Sequence, residues 1–224
     1  MAIIVSKRLS ELGASLILSP ERYDHRRDTG IKTSYVLGDL VDILTDNISS
    51  KLISDSAQAL VLDTTHAYEG FILLKHDPCS PDQIGSAKRR VLPGDVIVSR
   101  LRPYLRQIAY IDDRLFALAP SGNIVCASTE FFVLRSRHEF EVAALVPLLL
   151  SPSIQSVLAA GQEGGHHPRF SRDLLASIKV PDQIVTCSNE IGNSVKVRAD
   201  SIRLVMLEAR LASTNIENLI LCRN

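Results

Sequence analysis

The feature that most restricts the fold of this chain lies near its end. Ile191, Val195, Arg198, Ile202, Val205, Ala209, Ala212, Ile216 and Leu219 follow one another in alternating steps of four and three, and eight of these nine positions are apolar. That is the seam of a heptad repeat. Leu204, Leu207 and Leu211 lie beside it and widen the apolar face. The spacing predicts one helix over 189–220, about 48 Å long at about 1.5 Å per residue. A helix of that length with so broad a stripe must be covered, either by its own domain or by a second long helix, and the heptad phase favours the second. The apolar seam residues Ile191, Val195, Ile202, Val205, Ala209, Ala212, Ile216 and Leu219 are therefore the expected association surface.

The rest of the 224 residues divides into two parts. Residues 1–34 begin with Ile3, Ile4, Leu9, Leu12, Leu16 and Ile17 at partly helical spacing and continue into the polar, turn-rich SPERYDHRRDTG, which reads as a linker. Residues 35–182 carry short apolar runs at Leu40–Leu44, Phe71–Leu74, Asp95–Ser99, Gln107–Ile111, Ile124–Cys126 and Phe131–Leu134. Each is too short for an ordinary helix, so they are expected as strands. Pro93–Gly94–Asp95 is a turn into a strand, and Pro103 should break the strand that ends near Arg100. Helical spacing then appears over 139–150, where Pro147 is awkward, and in a short helix that Ser153 would cap and Gly161 would stop. Ser171 is expected to cap a turn over 172–177, followed by an extended piece over 178–181. The expected class is α+β: a mixed α/β domain over 35–182 and a long coiled-coil-type helix over 183–224.

Basic and acidic residues balance at 25 each, which argues against a general polycation. Their distribution is uneven. Between Ser86 and Arg106, Lys88, Arg89, Arg90, Arg100, Arg102 and Arg106 face Asp95 alone, a net +5, whereas 39–63 has five acids against Lys51, a net −4. A basic patch on a neutral chain suits a selective polyanion binder, and a solvated charged face is the plainer alternative. In SRLRPYLR the strand would deliver Ser99, Arg100, Arg102, Tyr104 and Arg106 to one end of a sheet. Arginine suits bidentate contact with guanine and also binds phosphate, to which serine and tyrosine hydroxyls add hydrogen bonds. The plainer alternative is a surface loop whose arginines pair with the acidic 39–63 segment. The loop GGHHPRFS is a second candidate: its glycines permit close approach, and His166, His167, Arg169 and Ser171 put donors just before a helix N-terminus. The adjacent histidines have no third ligand spaced with them, so no metal site is expected.

The order GDVIVSRLRPYLRQIAYI, STEFFVLR, LLLSPSIQSVLAAG, HHPRFSRDLLASIKVP and a long heptad helix resembles Type I restriction-modification specificity subunits, over residues 35–222. LGDLVDIL resembles the usual start of such a domain. The resemblance implies a target-recognition domain that reads one half of a split target in double-stranded DNA. It also implies a spacer helix that packs antiparallel on another, and partners that include a methyltransferase subunit and a restriction subunit. On this reading the DNA contacts are Lys88, Arg89, Arg90, Ser99, Arg100, Arg102, Tyr104, Arg106, His166, His167, Arg169 and Ser171. The usual subunit has two recognition domains and two helices. Here one of each is found, which suits a half-subunit that forms a homodimer, or pairs with another specificity domain, or else a part of a larger gene. DQIVTCSNEIGNS departs from the family's usual LPP-x-x-EQ pattern, which leaves its partner contacts open.

Catalysis would belong to the partners. The sequence has no methyltransferase NPPY-type motif, no GxxxxGK loop and no clustered nuclease carboxylates, so no enzyme and no cofactor is expected. A hydrolase built on Cys126 or Ser99 is a weaker rival without a GxSxG elbow. A protein-interaction module that docks through the helix and reads no DNA is the other. The scattered Cys79, Cys126, Cys187 and Cys222 read as reduced thiols. With no apolar run of membrane-spanning length and no signal-peptide pattern, a cytoplasmic location without membrane contact is expected.

Overall fold

Two strands buried on both faces organise the molecule. The computed structural model describes residues 4, 6–11, 24, 29–48, 53, 58–74, 78–117, 124–164 and 166–221. Helix α1 (Leu37–Leu40) leads into β1 (Val41–Leu44). Strands β2 (Ala59–Leu62), β3 (Ala67–Tyr68), β4 (Phe71–Ile72), β5 (Lys88–Arg90), β6 (Val96–Ser99) and β7 (Ile108–Tyr110) follow. Helix α2 (Asp113–Ala117) precedes β8 (Ile124–Ser128) and β9 (Phe131–Ser136). The antiparallel sheet β1-β9-β6-β7 is the centre. A second sheet, β2-β8-β5, pairs β2 with β8 in parallel and β5 with β8 antiparallel.

Successive strand residues point to opposite faces. Val96, Val98, Phe132 and Leu134 enter a core shared with the helices, while Ile97, Phe131 and Val133 enter a second core shared with Leu60, Val125 and Ala127. The helical side is formed by α3 (Leu145–Leu149), preceded by a 3-10 turn at Val142–Ala144, then α4 (Pro152–Ala160) and α5 (Arg172–Ala176). Ser151 caps α4, accepting from the Ile154 amide at 3.4 Å, with Pro152 as its first residue. The cap thus falls at Ser151, two residues before the expected Ser153, because proline is favoured at the first helical position. The chain ends of this body meet: the Val180 amide donates to Tyr35 O at 3.0 Å, and Thr33 Oγ1 to Asp182 Oδ1 at 2.6 Å.

The Pro93–Gly94–Asp95 turn is formed as expected, with Gly94 at φ +91°. Asp95 is 1% exposed; it accepts the Leu92 amide at 2.7 Å and both Nε and Nη2 of Arg135, at 2.9 and 2.8 Å. A buried carboxylate needs such a partner set, so the acid of this motif holds the turn to β9.

After α6 (Asp182–Thr186), helix α7 spans Ser188–Leu221, close to the predicted 189–220. Its first part lies on the body. A Cβ added at Gly192 would stand 2.2 Å from Glu141 Cγ, so glycine permits that approach. Lys196 pairs with Glu141 and lies 5.6 Å from the Tyr110 ring centroid. Burial pushes the Tyr110 hydroxyl up to about 12. Arg203 pairs with Asp112 and Asp200, and Asp200 also with Arg114. Val195 packs on the core, Ala199 is buried and Ile191 and Ile202 are half-buried. The seam therefore divides: Val195 packs on its own domain, and Ile191 and Ile202 are partly covered. Val205, Ala209, Ala212 and Ile216 are exposed. The side chain of Leu219 and the helical reading of Ile3, Leu12, Leu16 and Ile17 lie outside the described residues, as does Cys222. Ile4 is exposed, and Leu9 belongs to a 3-10 turn, Leu9–Glu11. Most of the linker 19–30 is also outside them. No single described helix is long and apolar enough to cross a membrane.

Candidate nucleic-acid interface

Strand β6 ends at Ser99, and the chain then turns through a 3-10 segment, Pro103–Leu105, before β7. Pro103 breaks the strand as its sequence requires. The turn is bounded by two arginines in left-handed backbone, Arg102 at φ 48° and Arg106 at φ 53°. For a non-glycine residue that conformation is unfavourable and persists only where the surroundings fix it. They do so here. The Arg102 amide donates to Pro168 O at 3.1 Å, the Phe170 amide to Arg100 O at 3.2 Å, and the Arg106 amide to Pro103 O at 2.8 Å. The stretch 100–106 is thereby joined to the stretch 166–171. Tyr104 projects from the turn, 62% exposed.

Glu130, in the two-residue turn between β8 and β9, sits at the junction. Its Oε2 accepts Arg100 Nε at 3.1 Å and Arg169 Nε at 2.9 Å, and its Oε1 accepts Arg169 Nη2 at 2.7 Å. Arg169 Nη1 donates to His167 O at 3.1 Å. The hydrogen bonds from Arg169, followed by those from Arg100, hold the Glu130 carboxyl below the usual carboxylate range against the opposing effect of burial. Arg102 Nη2 lies 3.5 Å from His167 Nδ1. Arg106 Nε donates to Glu69 Oε1 at 2.6 Å, and Glu69 is also in left-handed backbone, at φ 39°. Among the described residues, the acids that meet Arg100, Arg106 and Arg169 are Glu130 and Glu69 rather than those of the 39–63 segment.

Arg100, Arg102, His167 and Arg169 converge from two separate stretches, with Arg106 and Tyr104 on the adjoining turn. Arg90 and His166 are exposed. Others on the expected list are turned inward. Lys88 and Arg89 are only 8% and 6% exposed. Lys88 Nζ bonds to Ser86, while Arg89 donates to Phe131 O, lies 5.8 Å from the Phe132 ring centroid, and has its guanidinium shifted down by burial. Arg89 thus links its sheet to β9, and Lys88 folds back on its own chain, so neither faces solvent. Ser99 is buried and donates to Leu101 O at 3.1 Å. Ser171 caps α5 as expected, accepting from Leu174 N at 3.2 Å, and that helix has only five residues. The hydrolase alternative fails on the same grounds: Ser99 is enclosed, and burial pushes the Cys126 thiol up to about 11, away from thiolate. Among the described residues no three His, Cys, Asp or Glu side chains are grouped to hold a metal ion.

No protein-family model and no curated protein matches the chain. Solved structures do. An HsdS subunit from Thermoanaerobacter tengcongensis superposes with a TM-score of 0.53 at 23% identity, over 83% of this chain and 46% of that one. A chain from a type I R-M system, described for its complex assembly and conformational transition, superposes with a TM-score of 0.55 at 21% identity, over 80% of this chain and 45% of that one. In its fold, the chain is similar to these type I R-M and HsdS chains, and it spans a little under half the length of each of the two.

Proposed function

We propose that the chain is a noncatalytic, sequence-specific DNA-binding component of a Type I-like restriction-modification system. It recognises one half of a bipartite target and positions methyltransferase and restriction subunits in the cytoplasm. The observation that carries this reading is the convergence of Arg100, Arg102, His167 and Arg169 on one edge, held by backbone bonds between their two loops. Fixed guanidinium groups of that kind suit both phosphate contact and reading of guanine in the major groove. Tyr104 adds an exposed aromatic hydroxyl beside them, and Arg106 a further cation. The exposed part of α7, with Val205, Ala209, Ala212 and Ile216, supplies a stripe for a second copy or for another specificity domain. If two copies pair with two-fold symmetry, the target is a split palindrome.

The test is a gel-shift salt series on DNA enriched by the full chain from a random duplex pool. Binding should weaken steeply as salt rises, because phosphate contacts release counterions. Arg102→Ala together with Arg169→Ala should cost about 1–3 kcal/mol of discrimination if either reads a base, and should weaken all sequences alike if both hold phosphate. Binding insensitive to salt and to both substitutions would remove the proposal. The acidic partners of Arg100, Arg106 and Arg169 favour a second reading, a protein-docking module that leaves DNA unread. It predicts no enriched sequence.

A further inference from the structure

We infer that Glu130 is a specificity-determining positioning residue: it orients Arg100 and Arg169 as a matched pair, limiting indiscriminate attraction to DNA while sharpening sequence choice. The inference rests on the DNA-reading proposal and adds a residue to it. A carboxylate among cations at such an edge would ordinarily lower affinity for a polyanion, since it repels phosphate and neutralises the arginines it touches. Its placement gives it another consequence. Arg169 presents Nε and Nη2 together to the two carboxylate oxygens, the planar two-point geometry that fixes a guanidinium in orientation as well as distance. Of the five guanidinium donors, Nε and Nη2 each give one to Glu130 and Nη1 one to His167 O, which leaves two for a ligand. Among the described residues Arg100 meets Glu130 through Nε, which leaves its Nη1 and Nη2 edge, the edge that meets a base or phosphate at two points, to a ligand.

The acid is itself held. The amide of Arg100 donates to Glu130 O at 2.9 Å, and the Glu130 amide to Ser128 Oγ at 3.3 Å. Its side chain is 22% exposed, so the ion pairs are partly shielded from water. Arginines that are free to swing gather phosphate on any sequence. An arginine fixed in plane, as Arg169 is, rewards only the base edge that fits it, because a donor buried on binding without an acceptor is costly.

The experiment compares the full chain with E130Q, E130D and R169K on two duplexes of equal length and composition: the one most enriched from a random pool, and a scrambled version. E130Q removes the charge, so it should bind the scrambled duplex more tightly and with a steeper salt dependence, by about one more phosphate contact. Its preference for the enriched duplex should fall about tenfold. E130D and R169K keep the charge but lose the two-point bond; they should lose preference with no gain on the scrambled duplex, and they carry the test should E130Q fold poorly. Equal preference in the wild type and all three variants, or a loss of binding on both duplexes in the same proportion, overturns the role of Glu130 alone. A wild-type chain that enriches no sequence overturns the DNA-reading proposal and this inference with it.

Discussion

The two ends of α7 carry one repeat and have opposite fates. Up to Arg203 the helix is fastened to its own body by Gly192 against Glu141, by Lys196 and by the pair of Arg203 with Asp112. From Leu204 the stripe runs on at the same spacing, and among its described side chains Leu204, Val205, Leu211 and Ile216 are all more than half exposed. A heptad seam states that an apolar face will be covered, not by whom. The answer comes from the small or charged residues off the seam, and these change character near position 203.

The contrast can be broken at its fastened end first. Gly192→Leu forces a branched side chain into the space of Glu141 and should lower unfolding free energy by about 2–3 kcal/mol in chemical denaturation, since overpacking a closed contact displaces backbone. An unchanged midpoint would mean that the helix is not seated there. A smaller loss, about 1 kcal/mol, is expected for Lys196→Ala, which removes a half-buried ion pair and the contact with the Tyr110 ring. Thermal melting at low and moderate salt would show whether the ionic part dominates. At the free end the effect on folding should be least: Val205→Glu with Leu211→Glu should stay within about 0.5 kcal/mol of the parent in unfolding. The same pair should abolish self-association in light scattering at micromolar concentration. A parent chain that stays monomeric with no partner domain added would count against pairing of two copies.

Much of the architecture was legible from local pattern. The runs at Asp95–Ser99 and Phe131–Leu134 became the central strands, Pro103 ended β6, and the long helix fell within a residue or so of its expected bounds. Three strands were missed, at Ala59–Leu62, Ala67–Tyr68 and Lys88–Arg90. Ala67–Tyr68 has only two residues, and Lys88–Arg90 is entirely basic, which on its face reads as surface. Lys88 lies inside with Ser86 two residues away, whereas Arg89 lies there against the Phe131 carbonyl and the Phe132 ring, partners that no local rule reveals. Of the candidate site, the arginines and the 166–171 loop were visible as unusual composition. Their acids were not: Glu130 lies 30 positions from Arg100 and 39 from Arg169, and Glu69 lies 37 from Arg106. Only folding makes such pairs neighbours.

Because β6 and β9 are enclosed on both sides, neither can slide by one residue without exchanging every side chain between two unlike interiors. The Arg100 loop and the Glu130 turn grow from adjacent ends of that locked ladder. Their spacing is thus inherited from the slab rather than set by the loops themselves. An insertion within the slab would therefore disturb both interiors at once, whereas an exchange at an exposed tip position such as Tyr104 would leave them untouched.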